Sequence, residues 1–123
     1  MNTQEQIANV SEIVRDYFND NSMYAGIHTM SHDNQEHIIN IGTSILCTKW
    51  GIGYEGGGFV KAVVNNNLSA AIGSADSINI QALKFYCQLM YNTGKPSIFN
   101  IDIDEDHDLD QVMNRMAKDV GNE

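Results

Sequence analysis

Glycine stands at five of the eight positions from 51 to 58: Gly51, Gly53, Gly56, Gly57 and Gly58. Glycine weakens regular elements and permits turns closed to other residues. The chain must therefore bend here, and what lies on either side must fold as separate elements. Downstream, residues 59–72 place Val60, Val63, Val64, Leu68 and Ala71 on one helical face. Asn65, Asn66 and Asn67 fall inside this expected helix. Asparagine side chains compete for backbone hydrogen bonds, so the triplet is a local conflict of the kind that can mark function. Gly73 turns the chain, and Asp76 reads as the N-cap of a second helix over residues 77–93. Ala82, Leu83, Phe85, Tyr86, Leu89 and Met90 give that helix an apolar face, while Gly94 and Pro96 stop it.

Upstream, Ile7, Val10, Val14, Tyr17 and Phe18 predict an amphipathic helix over residues 4–19, opened by a Thr3/Gln6 capping box. The run Asn19, Asp20, Asn21, Ser22 is expected to end it. Residues 22–36 read as irregular, with Met23, Tyr24, Ile27 and Met30 as a weak helical stripe. Residues 37–50 fit two periods. Ile39, Ile41, Thr43, Ile45 and Cys47 alternate like a strand, while Ile38, Ile41, Ile45 and Lys49, or Ile39, Thr43, Leu46 and Trp50, form helical stripes. Fourteen residues is long for a strand, so the reading leans to helix, with Gly51 to Gly53 as its stop. Beyond Pro96, Phe99, Ile101 and Ile103 alternate with polar residues, and Leu109, Val112, Met113, Met116 and Val120 predict a last helix over about residues 107–119. The expected fold is mainly α: a small single-domain helical bundle with one short extended segment near 98–103. Residues 1–21 are its N-terminal helix, 51–96 the glycine bend and helical pair, and 97–123 the acidic C-terminal segment.

A chain of 123 residues suffices for one hydrophobic core. No apolar run approaches the roughly 20 residues needed to span a bilayer, and the first residues lack the pattern of a signal peptide. The expectation is a cytoplasmic protein with Cys47 and Cys87 as reduced, buried thiols. The net charge of −9 is unevenly spread: −5 over residues 1–48, +2 over 49–95 and −6 over 96–123. Such a chain repels duplex nucleic acid, while its basic middle could take a small anion.

Tests for chemistry fail one after another. His28 and His32 would stand a turn apart on a helix, but no third ligand accompanies them. The acids from Asp102 to Asp110 lack the glycine and glutamate of a calcium loop in either register. The glycine bend contains neither a P-loop nor a dinucleotide fingerprint. No histidine pairs with either cysteine in a local nucleophile signature. The reading is a non-enzymatic protein without metal or cofactor.

One resemblance bears on this. Gly57-Gly58-Phe59, the apolar residues around Ala62, Asn66-Asn67-Leu68, the Ala75-Asp76-x-x-Asn79 step, Tyr91-Asn92 and Pro96 follow one another in order. This series resembles a group of short, uncharacterised proteins encoded mainly by bacteriophages and prophages. Asn67 stands where that group usually has aspartate, and Ser74 where a basic residue is common. The resemblance implies a phage-type accessory protein acting in the host cytoplasm and supplies no activity.

Together these features suggest binding of a small anionic ligand, such as a nucleotide signal of host defence. Gly57 and Gly58 would donate N–H groups, Lys49 and Lys61 would neutralise phosphate, and Asn66 and Asn67 would read polar edges. Homo-oligomerisation is expected as well. The alternative is an acidic inhibitor that contacts a basic host nuclease or regulator through Asp102 to Asp110.

Overall fold

The computed structural model describes residues 2–101. Its elements are α1 (Thr3–Ala25), α2 (His32–Trp50), α3 (Gly58–Val64), α4 (Leu68–Ser74), α5 (Ser77–Gln81), α6 (Leu83–Asn92) and α7 (Ile98–Ile101). The protein is mainly α-helical, with no strand among the described residues. Its contacts divide it into two units, Thr3–Gly94 and a second made of Met1–Asn2 with Lys95–Glu123. The helix expected over 107–119 and the acids of the C-terminal segment lie outside the described residues.

Helix α2 is central in the Thr3–Gly94 unit. It packs against α1, α3, α5 and α6, and Ile38, Ile39, Gly42, Thr43, Ile45, Leu46, Cys47 and Trp50 are all buried. A helix covered on most sides loses the clean 3.6-residue period, which is why residues 37–50 read ambiguously. Gly42 marks the tightest approach. A Cβ there would lie 2.9 Å from Val14 Cγ1 and 3.0 Å from Leu89 Cδ2, so α1 and α6 close on α2 where a side chain is missing. The buried Thr43 hydroxyl donates to the Ile39 carbonyl at 2.8 Å and leaves no orphan donor.

Helix α1 buries Val10, Val14, Phe18 and Ser22, one residue per turn. It runs past the expected break at residues 19–22 and ends at Gly26. Asn21 spends its amide on the Tyr17 carbonyl at 3.0 Å instead of turning the chain. Gly26, at φ 75°, allows the paired end bonds, from Gly26 N to Met23 O and from Ile27 N to Ser22 O. Ser31 then caps α2 by accepting from Asn34 N at 3.2 Å. Arg15 makes a two-pronged contact with Glu36, at 2.7 and 2.9 Å, joining α1 to α2. This hydrogen-bonded pairing holds the Glu36 carboxyl below its ordinary range.

Aromatic rings complete the core. Phe85 meets Phe18 edge-on at 5.5 Å between centroids, and Tyr86 meets Phe59 at 5.7 Å. Two of the expected helices are interrupted. Asn66 adopts φ 59° and the chain divides into α3 and α4. At Ala82, the helix expected over 77–93 divides into α5 and α6, with Asp76 capping α5 as anticipated. In the second unit, the segment expected to be extended is, in its described part, the single helical turn α7. Pro96 starts this turn, its carbonyl accepting from Phe99 N at 3.1 Å.

Candidate functional site

The structure disperses the residues expected to hold an anion. Gly57 precedes α3 and Gly58 begins it, whereas Asn66 and Asn67 follow its far end. Seven residues at 1.5 Å each separate the two groups by about 10 Å. Such a short helix offers little macrodipole. Lys61 lies 3.3 Å from Glu55, which offsets its charge locally. Lys49 Nζ donates to the Met90 carbonyl at 2.8 Å, near the C-terminus of α6. Lys84 does the same for the Tyr24 carbonyl, near the end of α1, at 3.4 Å. Lys49 and Lys84, two of the lysines of the basic middle, thus serve helix ends, where the dipole favours cations.

The asparagine triplet is a helix-ending device. Asn66 N donates to Val63 O and Asn67 N to Ala62 O, the paired pattern seen at Gly26, with asparagine in the left-handed position. Asn67 Oδ1 then accepts from Ala70 N at 3.1 Å and caps α4. The adjoining cavity, beside Ala62, Leu83 and Cys87, measures about 30 Å³, room for one water.

Of the glycines, Gly51 takes φ 74° and its N–H bonds Cys47 O to close α2, while Gly53 takes φ 69°. Gly56 lies so close to Ser44 and Val60 that a Cβ would fall 2.5–2.6 Å from their atoms. Gly57 and Gly58 face open space.

His28 lies in the loop after α1 and His32 opens α2, so they do not share a helix face. No group of three metal-ligating side chains is found among the described residues. Nor is any described helix long and apolar enough to cross a membrane.

What the structure does assemble is a groove between α1 and α2, of about 480 Å³. Gln4, Ile7, Ala8 and Ser11 form one wall, Asn40, Thr43, Ser44 and Cys47 the other, and Ile52 and Tyr54 stand at one end. The two walls repeat the same three-one-three spacing, which puts each set on one helix face. The groove exists because the facing side chains are small. Ala8, Ser11, Thr43, Ser44 and Cys47 cannot fill the space that two leucines would close.

None of the lining residues is charged. Burial pushes the Cys47 thiol up to about 11, so it stays protonated at neutral pH. Gln4, Ser11, Asn40, Ser44 and Tyr54 have side-chain polar groups with no hydrogen-bond partner among the described residues. Sequence reading missed this site although the signal was present. The stripe Asn40, Ser44, Cys47 lies on the same helix as the apolar stripes and is uniformly small or polar.

No protein-family model, curated protein or solved structure matches the chain.

Proposed function

We propose that this protein is a non-enzymatic binding protein that takes a small, uncharged ligand in the α1–α2 groove. The observation that carries the reading is a groove of about 480 Å³ whose walls offer hydrogen-bonding groups without a partner among the described residues, and whose lining residues carry no charge. That volume lies in the ordinary range for small-molecule sites. A buried phosphate would need a cation or several donors to offset its desolvation, and Lys49 and Lys61 are engaged with the Met90 carbonyl and Glu55. The ligand is therefore better matched to an uncharged group than to the anion suggested by charge distribution.

The resemblance to phage-encoded proteins supplies the setting: an accessory protein that sequesters a small molecule in the host cytoplasm. Self-association belongs to the same reading. Leu68 and Ile72 lie one turn apart on α4, 63% and 49% exposed, and a second copy would cover them.

Thermal unfolding in the presence of uncharged fragments and of nucleoside monophosphates tests the groove. Ligands that bind only the folded state raise its Tm. Uncharged fragments are expected to do so, and Ala8→Trp, which fills the groove from an exposed position, should abolish the effect. Stabilisation by the monophosphates alone, lost on Lys61→Ala and retained on Ala8→Trp, would return the site to the glycine bend.

A further inference from the structure

We infer that the groove selects a planar, uncharged heterocycle presenting adjacent hydrogen-bond donor and acceptor atoms, the edge shared by nucleobases and cyclic amides. The inference rests on the groove being the binding site and names what it would read.

Asn40 is the reading group. It is exposed at the groove wall, and its side chain has no partner among the described residues. A carboxamide offers one acceptor and two donors side by side, which complements an amide-like edge with two parallel hydrogen bonds. Ser44 lies one turn further along the same face, and Ser11 lines the opposite wall. Each hydroxyl can donate or accept, so a ring lying between the helices meets polar groups on both edges.

Tyr54 supplies the second element. It is 97% exposed at the end of the groove and follows Gly53, whose φ of 69° sets the chain direction there. A fully exposed aromatic ring beside an uncharged slot is a stacking surface for another flat ring. Ile7 and Ile52 give the remaining contact area an apolar character. The absence of charge on the walls, in a chain of net charge −9, opposes any ligand carrying phosphate.

A ¹⁵N-resolved NMR titration of the intact protein tests this with four probes: adenosine, uridine, adenosine monophosphate and cyclohexanol. At about 1 mM, enough to detect weak binding, at least one nucleoside should shift the Asn40 side-chain amide and the backbone amides of Ala8, Ser44 and Ile52. Asn40→Leu should weaken that binding at least tenfold and Tyr54→Ala at least threefold. Both positions are exposed, and the spectra report whether each variant remains folded. Adenosine monophosphate should bind at least tenfold more weakly than adenosine. Equal binding of the two, or nucleoside binding undiminished by Asn40→Leu, overturns the inference. Shifts at the groove from cyclohexanol without any from the nucleosides also overturn it but leave the groove as a site. Silence from all four removes both readings.

Discussion

The Tyr86 hydroxyl donates to Asn79 Oδ1 at 2.7 Å, and both residues are buried. The bond joins α6 to α5 across the interruption at Ala82. It also explains an asparagine in the core: its acceptor is satisfied by a phenol that would otherwise be a buried donor without a partner. Asn79 N in turn donates to Asp76 Oδ1 at 2.7 Å, so the cap of α5 and the core of α6 share one residue. Tyr86→Phe removes the donor and leaves the carboxamide oxygen buried. The expected loss is about 1–3 kcal/mol, read as a lower urea midpoint. The double variant Tyr86→Phe with Asn79→Leu should recover part of that loss, because neither partner is then left unsatisfied. Equal stability of Tyr86→Phe and the natural chain would show that water replaces the phenol.

Asn66 offers a backbone test. Its φ of 59° belongs to the left-handed region, which costs a residue with a Cβ about 1–2 kcal/mol, less for asparagine. Asn66→Gly should therefore stabilise the protein by several tenths of a kcal/mol up to about 1, and Asn66→Ala should destabilise it by about 1. Thermal unfolding of the two variants gives the order. A ligand-reading role for Asn66 would leave this order unchanged and add a loss of binding in both variants.

How much of this could be read from the chain depends on where each signal acts. Local chemistry was legible. Gly51 ends α2, Asp76 caps α5, and the stripe of Val10, Val14 and Phe18 faces the core. Asn66 was visible as a conflict, but its resolution by dividing the helix required knowing that α3 and α4 fold back into contact with each other. Residues 19–22 misled because four turn-prone residues also fit a helix whose far end is tied by Gly26. The contacts of the lysines were hidden for a different reason. Sequence shows a charge but not the carbonyl it meets, and Met90 is 41 residues from Lys49. The groove is a property of two facing surfaces, so neither helix alone announces it.

Alkaline pH should loosen the fold through Cys47. Burial raises its thiol from the ordinary 9.0 to about 11. Below pH 9 both folded and unfolded chains keep the proton. Between 9 and 11 the unfolded chain releases it while the folded chain retains it, so stability falls as pH rises. The displacement corresponds to about 2–3 kcal/mol at most. Tyr86, also raised by burial and by the charge of Asp76, adds a fall with the same sign above pH 10. Urea midpoints measured from pH 8 to 11 should decline, and Cys47→Ala should flatten the slope between 9 and 11 whatever it does to the absolute stability.

The glycine bend supplies the sharpest contrast between neighbouring residues. Gly56 donates its N–H to Thr48 Oγ1 at 2.9 Å, and its missing Cβ would stand 2.5 Å from Val60 Cγ1 and 2.6 Å from Ser44 Oγ. Val60 is buried, so it has little freedom to withdraw. Gly56→Ala should cost about 1–3 kcal/mol by overpacking. Gly57, one residue later, has φ −74° and open space around it. Gly57→Ala asks nothing of its neighbours and restricts the unfolded chain, so it should be neutral or stabilise by about 0.4–1 kcal/mol. Chemical denaturation of both variants measures the difference. If Gly56→Ala is tolerated and Gly57→Ala is not, the bend is held together differently from the contacts between Gly56, Ser44 and Val60. If the stabilities follow expectation but Gly57→Ala abolishes ligand binding, the open space beside Gly57 belongs to the recognition surface, separate from the groove.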